Sequence, residues 1–150
     1  MKKAGFYAII NKRKIKVFNL EEKISVKEAT AMNPVVLAFV GDAVYSLYIR
    51  EKLAFNHDLK TGELNRLAVS SVRASAQAQK IENLLPVLTE EELAVFRRAR
   101  NAKKGTKAKS ASVAEYNLST GFEAVVGYLY VTGQAERLDE ILNYGEENEG

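Results

Sequence analysis

Residues 33–49 read NPVVLAFVGDAVYSLYI. After Asn33 the stretch is apolar, small or glycyl except for one carboxylate, Asp42. Asn33 followed by Pro34 is an N-cap and first-turn pair, so the stretch opens a helix expected to run to about Leu53. The apolar run from Pro34 to Ile49 is shorter than the ~20 residues a bilayer needs, and the acid at its centre also argues against a membrane span. A core helix is the remaining reading, and there a lone charge is costly unless it is neutralised, paired or given a cation. The alternative at this point is that Asp42 sits at the rim of its helix, solvated or paired to an arginine such as Arg50 or Arg73.

The rest of the chain narrows the fold class. Its 150 residues are 47% hydrophobic, enough for one domain that buries about two thirds of its unfolded surface. With no cysteine and one histidine, disulfides, thiolate metal sites, cysteine nucleophiles and multi-histidine zinc chemistry are all excluded. A cysteine-free chain without a secretion signal is expected in the cytoplasm. Two prolines and a 3.6-residue apolar period predict an all-α domain. After the first helix, FNHDLKTG reads as a loop, and a second helix is expected from about Gly62 to Leu85, ending at Pro86. Thr89 with Glu92 forms a capping box for a third helix, which also accounts for the acids of TEEEL as dipole complement. Ser112 with Glu115 opens a fourth helix, closed near Gly133, and QAERLDEILNYG supplies a last one. The division expected is an N-terminal basic extension at 1–23, read either as a small hairpin or as a basic arm, a helical domain at 24–145 and an acidic frayed tail at 146–150.

The fourth helix repeats the peculiarity of the first. Its stretch GFEAVVGYLYV, Gly121 to Val131, is densely apolar with interior glycines and one acid, Glu123. Each interior glycine costs about 1 kcal/mol against alanine, and close approach of two backbones is the usual reason for keeping one. Gly41, Gly121 and Gly127 therefore imply that the two helices touch; a crossing near Gly41 and Glu123 brings Asp42 and Glu123 together, the alternative being that either acid sits at the rim of its helix. Two adjacent carboxylates cannot both stay ionised without a cation, and hard oxygen ligands suit magnesium or manganese.

Charge along the chain is uneven. The segment RRARNAKKGTKAK, Arg97 to Lys109, holds seven basic residues and no acid, so with +3 for the whole chain the remainder carries −4. Arg97, Arg98, Arg100, Lys103, Lys104, Lys107 and Lys109 form the kind of patch a polyanion's backbone attracts. Asn101 and Thr106 would add hydrogen bonds to phosphate or 2′-hydroxyl groups, or else merely cap the loop. Beside a two-carboxylate metal site, the patch points to nucleic acid cleavage; alone it would be a solvated face.

At these residues the sequence resembles the ribonuclease III family, whose signature helix reads roughly L-E-F-L-G-D-A-V and whose second motif reads roughly D-x-F-E-A-x-x-G-x-x-Y. Here they stand as LAFVGDAVY and TGFEAVVGYLY, with RRARNAKKGT between them. The resemblance covers about residues 28–144 and is to the compact form without a double-stranded RNA-binding domain. It implies a ribonuclease III-type helical endonuclease domain, a homodimer that cuts double-stranded RNA with Mg2+ or Mn2+ and leaves 5′-phosphate and 3′-hydroxyl ends. Its implied substrate is the large-subunit (23S) ribosomal RNA precursor. Asp42 and Glu123 match the two metal-binding, catalytic acids, while Ala38 and Thr120 stand where full-length members place two more. Phe39 matches an aromatic that inserts into the partner subunit. The competing expectation is a non-catalytic RNA-binding or ribosome-assembly module that keeps the fold and the basic loop.

Overall fold

The structure, a computed structural model, describes residues 21–56, 58–104 and 112–146. The expectations for residues 1–20, His57, Thr106, Lys107, Lys109 and the end of the tail lie outside the described residues. Helices α1 (Val26–Ala31), α2 (Pro34–Asn56), α3 (Thr61–Val72), α4 (Ala74–Leu84), α5 (Glu90–Asn101), α6 (Val113–Val131) and α7 (Ala135–Asn143) follow in order, with a short 3-10 turn at Leu85–Val87. Among the described residues there is no strand, and no helix is long and apolar enough to cross a membrane.

Helix α6 is the hub. From Ser119 to Leu129 every residue except Glu123 is buried, as a helix apolar on all sides requires, and α2, α4 and α5 supply the cover. Tyr45 of α2 meets the Phe122 ring edge-on at 4.9 Å, and Phe96 of α5 fills the space that Gly121 leaves open. Both expected capping boxes form: Thr89 accepts from the Glu92 amide at 3.1 Å, and Ser112 from the Glu115 amide at 3.1 Å. Gly133, at φ 72°, ends α6 in the left-handed region where glycine is favoured. The preceding Val131 carbonyl accepts from the amides of Lys23 and Ile24, which seats the start of the described chain on the C-terminal end of α6.

Three details depart from expectation. The single helix expected from Gly62 to Leu85 is two, because Arg73 adopts an extended conformation at φ −68°, ψ 156°. The Ser-Ser-Val sequence before it is a weak helix former, and Ser71 turns its hydroxyl back to the Leu67 carbonyl at 2.8 Å. The bend lets α4 direct Gln77, Ala78, Ile81 and Leu84 inward, the Gln77 amide having no hydrogen-bond partner among the described residues. Second, α1 exists: Ser25 and Glu28 form a third capping box. Third, the tail does not fray at its first residue, since Glu146 accepts a hydrogen bond from Tyr48 at 3.1 Å and pairs with Lys52.

Candidate active site

The two acid-bearing helices cross backbone to backbone. A Cβ on Gly41 would overlap the Glu123 carbonyl and lie 2.8 Å from the Gly127 nitrogen. One on Gly127 would overlap the Leu37 carbonyl and lie 3.0 Å from the Gly41 nitrogen. Later residues of α6 thus meet earlier residues of α2, so the helices run antiparallel, and the interior glycines are explained by this contact. Because Asp42 follows Gly41 directly, the crossing sets it beside Glu123. Burial, then the neighbouring Asp42 carboxylate, push the Glu123 carboxyl up to about 8. No hydrogen-bond donor or cation among the described residues approaches Glu123.

Asp42 itself is exposed, so the core reading of this residue is wrong and the rim reading right. The reason lies in how α2 is covered. Leu37, Ala38, Gly41, Val44, Tyr45 and Tyr48 face the core, while Val36, Phe39, Ala43 and Leu47 form a second apolar stripe that is exposed along its length. Asp42 occupies the border between the two. Phe39 is the most open large apolar residue described, at 80% exposure. The desolvated acid is Glu123.

Neither substituted position adds a ligand. Ala38 is packed in the core, and Thr120 is buried with its hydroxyl donated to the Tyr116 carbonyl at 2.9 Å. No group of three or more metal-ligating side chains converges among the described residues. The pair nonetheless fits a hard divalent cation: two carboxylates are neighbours, burial and then Asp42 destabilise Glu123 as an anion, and no cation among the described residues offsets them.

The described part of the basic run, Arg97 to Lys104, divides by environment. Arg97 and Lys103 are exposed and reach no acid or carbonyl among the described residues. Arg100 lies over the Phe96 ring at 5.4 Å and donates to the Asn101 side chain at 3.1 Å. Arg98 donates to the carbonyls of Thr30 and of Met32, the latter at 3.1 Å. Lys104 donates to the carbonyls of Arg100 at 3.1 Å and Ala102 at 2.9 Å.

Comparison with known proteins agrees with this geometry. The ribonuclease III domain family matches residues 35–134, which include the crossing, both acids and the basic run. Mini-ribonuclease 3 of Symbiobacterium thermophilum is 51% identical over 73% of this chain and 84% of its own length. The protein of the same name from Enterococcus faecalis is 45% identical over 79% of this chain and 95% of its own. A Fusobacterium nucleatum protein of known crystal structure superposes with a TM-score of 0.71 at 28% identity, covering 80% of this chain and 96% of that one. The chain belongs to the ribonuclease III family, an all-helical class of double-strand-specific endoribonucleases that depends on divalent metal. Within that family it groups with Mini-ribonuclease III, the compact form.

Proposed function

We propose that this chain is a magnesium-dependent endoribonuclease, with manganese able to substitute, that works as a homodimer on duplex parts of the 23S ribosomal RNA precursor in the cytoplasm and leaves 5′-phosphate and 3′-hydroxyl ends. The observation that carries the reading is the Gly41–Gly127 crossing, which sets Asp42 against a Glu123 carboxyl pushed up to about 8. Asp42 and Glu123 are the residues that would hold the metal. A bound divalent cation supplies an activated water and neutralises charge developing on the phosphate oxygens. Burial and Asp42 favour the protonated Glu123 carboxyl near neutral pH, and it would have to give up that proton to hold the cation, so metal affinity is expected to rise with pH. Arg97 and Lys103, with the basic residues that follow them in sequence, attract the RNA backbone, whose contacts fix position without reading bases.

Dimerisation is the reading that covers the second stripe of α2. Phe39, with Val36, Ala43 and Leu47, forms an exposed apolar face of the kind that a twofold partner would cover. Phe39→Asp is expected to turn a dimer into a monomer in light scattering and to lose cleavage; a wild-type monomer at micromolar concentration would remove this part. The activity itself is tested by incubating purified protein with labelled duplex RNA, first with magnesium and then with chelator, beside a single-stranded control. Cutting of the duplex alone, stopped by chelator, is expected, and cutting that survives chelation contradicts the metal assignment.

A further inference from the structure

The basic run is written in the sequence as one patch, but its side chains are committed to different partners. Arg98 spreads its two terminal nitrogens over the carbonyls of Thr30 and Met32, at the C-terminal end of α1. Those carbonyls are among the last of the helix and have no acceptor role inside it, and a guanidinium there meets both their lone pairs and the negative end of the helix dipole. Met32 is followed at once by Asn33, whose side chain accepts from the Val35 amide at 2.9 Å and starts α2. Arg98 thus ties the end of α5 to the elbow from which the Asp42 helix departs. Lys104 folds back on the same end of α5 and donates to the Arg100 and Ala102 carbonyls. Burial holds the Lys104 amine below its ordinary value, consistent with a side chain turned inward. Arg97 and Lys103 carry none of these contacts and face solvent.

We propose that Arg98 is a positioning residue that holds the basic segment in register with the Asp42 helix, that Lys104 supports it by closing the end of α5, and that Arg97 and Lys103 are the phosphate contacts of this part of the run. The division rests on the reading above that the run binds duplex RNA. Arg98 meets the Thr30 and Met32 carbonyls with two separate terminal nitrogens held in one plane, a geometry that the single amine of a shorter-reaching lysine at this position does not reproduce. Phosphate attraction, in contrast, needs only the charge.

The test measures, for each variant, the slope of log affinity against log salt for a short RNA duplex, together with kcat and KM in magnesium at a temperature where circular dichroism shows the variant folded. Arg97→Gln with Lys103→Gln is expected to flatten the slope by about 1.4 to 1.8 and raise KM with kcat within about twofold, each lost contact being worth about 0.7 to 0.9. Arg98→Gln is expected to leave the slope unchanged and lower kcat about tenfold, since small misplacements of bound groups cost rate. Arg98→Lys, which keeps the charge, is expected to behave like Arg98→Gln, and Lys104→Gln to follow with a smaller fall. A flattened slope in Arg98→Gln that Arg98→Lys restores would overturn the proposal by making Arg98 a phosphate contact. Normal kcat in a folded but less stable Arg98→Gln would overturn it too, leaving a stability role only. Wild-type protein that binds no duplex at any salt concentration would instead refute the function on which the division rests.

Discussion

Glu92 and Glu123 are both withdrawn from water, and the protein treats them in opposite ways. Glu92, only 2% exposed, is met by two nitrogens of Arg137, each at 2.8 Å, and by the Thr89 amide at 2.9 Å. Burial alone would raise its proton affinity, yet the hydrogen bonds from Arg137 and Thr89 hold it below its ordinary value. Glu123 is less deeply placed, has no donor among the described residues, and faces another acid that helps push it up to about 8. The first arrangement joins α5 to α7 and needs nothing further. The second is incomplete without a cation. Depth of burial therefore does not mark the site; the lack of compensation does.

The largest effect expected from this contrast is on catalysis. Asp42→Asn and Glu123→Gln are expected to lower kcat by about 10²-fold or more, with only the stability of the Glu123 variant rising, because it removes a buried carboxyl that the metal-free fold must keep protonated at neutral pH. Single-turnover cleavage of a duplex and thermal melts of the metal-free protein check both parts, and an Asp42→Asn enzyme of normal rate would end the contrast. Next comes the structural pair: Arg137→Met is expected to cost about 3 to 5 kcal/mol in urea unfolding, since it strands Glu92 in the core. Loss of under 1 kcal/mol there would mean that Glu92 is relieved in some other way.

The smallest effect is in pH, and the two acids give it opposite signs. Glu123 has a folded value above its unfolded one, so between about 4.5 and about 8 the folded state holds a proton that the unfolded state has lost. Metal-free stability from this group falls as pH rises through that window. Glu92 has a folded value below its unfolded one, so its contribution is present above about 4.5 and is lost as pH falls through the folded value. Melting temperature against pH in metal-free buffer is expected to show the neutral-side decline in wild type and a flatter curve, by a few degrees, in Glu123→Gln. Equal slopes in the two proteins from pH 5 to 8 would show that Glu123 titrates normally.

What could be read from the sequence was whatever depends on near neighbours. Thr89 with Glu92 and Ser112 with Glu115 announced their helices because a capping box spans three residues. The interior glycines announced the crossing because little else repays their cost in a helix. Ser25 with Glu28 carried the same local sign for α1, before a helix of only 6 residues. The exposure of Asp42 was not legible, since an all-round apolar helix does not say which of its faces the same chain will cover. Nor were the acceptors of Arg98, which lie 66 and 68 residues away, or the Arg137 partner that makes Glu92 more than a cap. Those depend on how distant helices meet, and periodicity within one helix holds no information on that.

The contact of Gly41 with Gly127 has a further consequence for inheritance. Where helices meet through side chains, every substitution in the seam changes their spacing by some fraction of an ångström, and an acid pair mounted on them would drift as sequences diverge. Here peptide groups rest on peptide groups, and the main chain is the one part of a protein that substitution does not alter. While Gly41 and Gly127 are kept, exchanges among leucines and valines elsewhere in the interior cost packing energy without resetting the crossing, and the gap between the two carboxylates stays gauged by main-chain atoms.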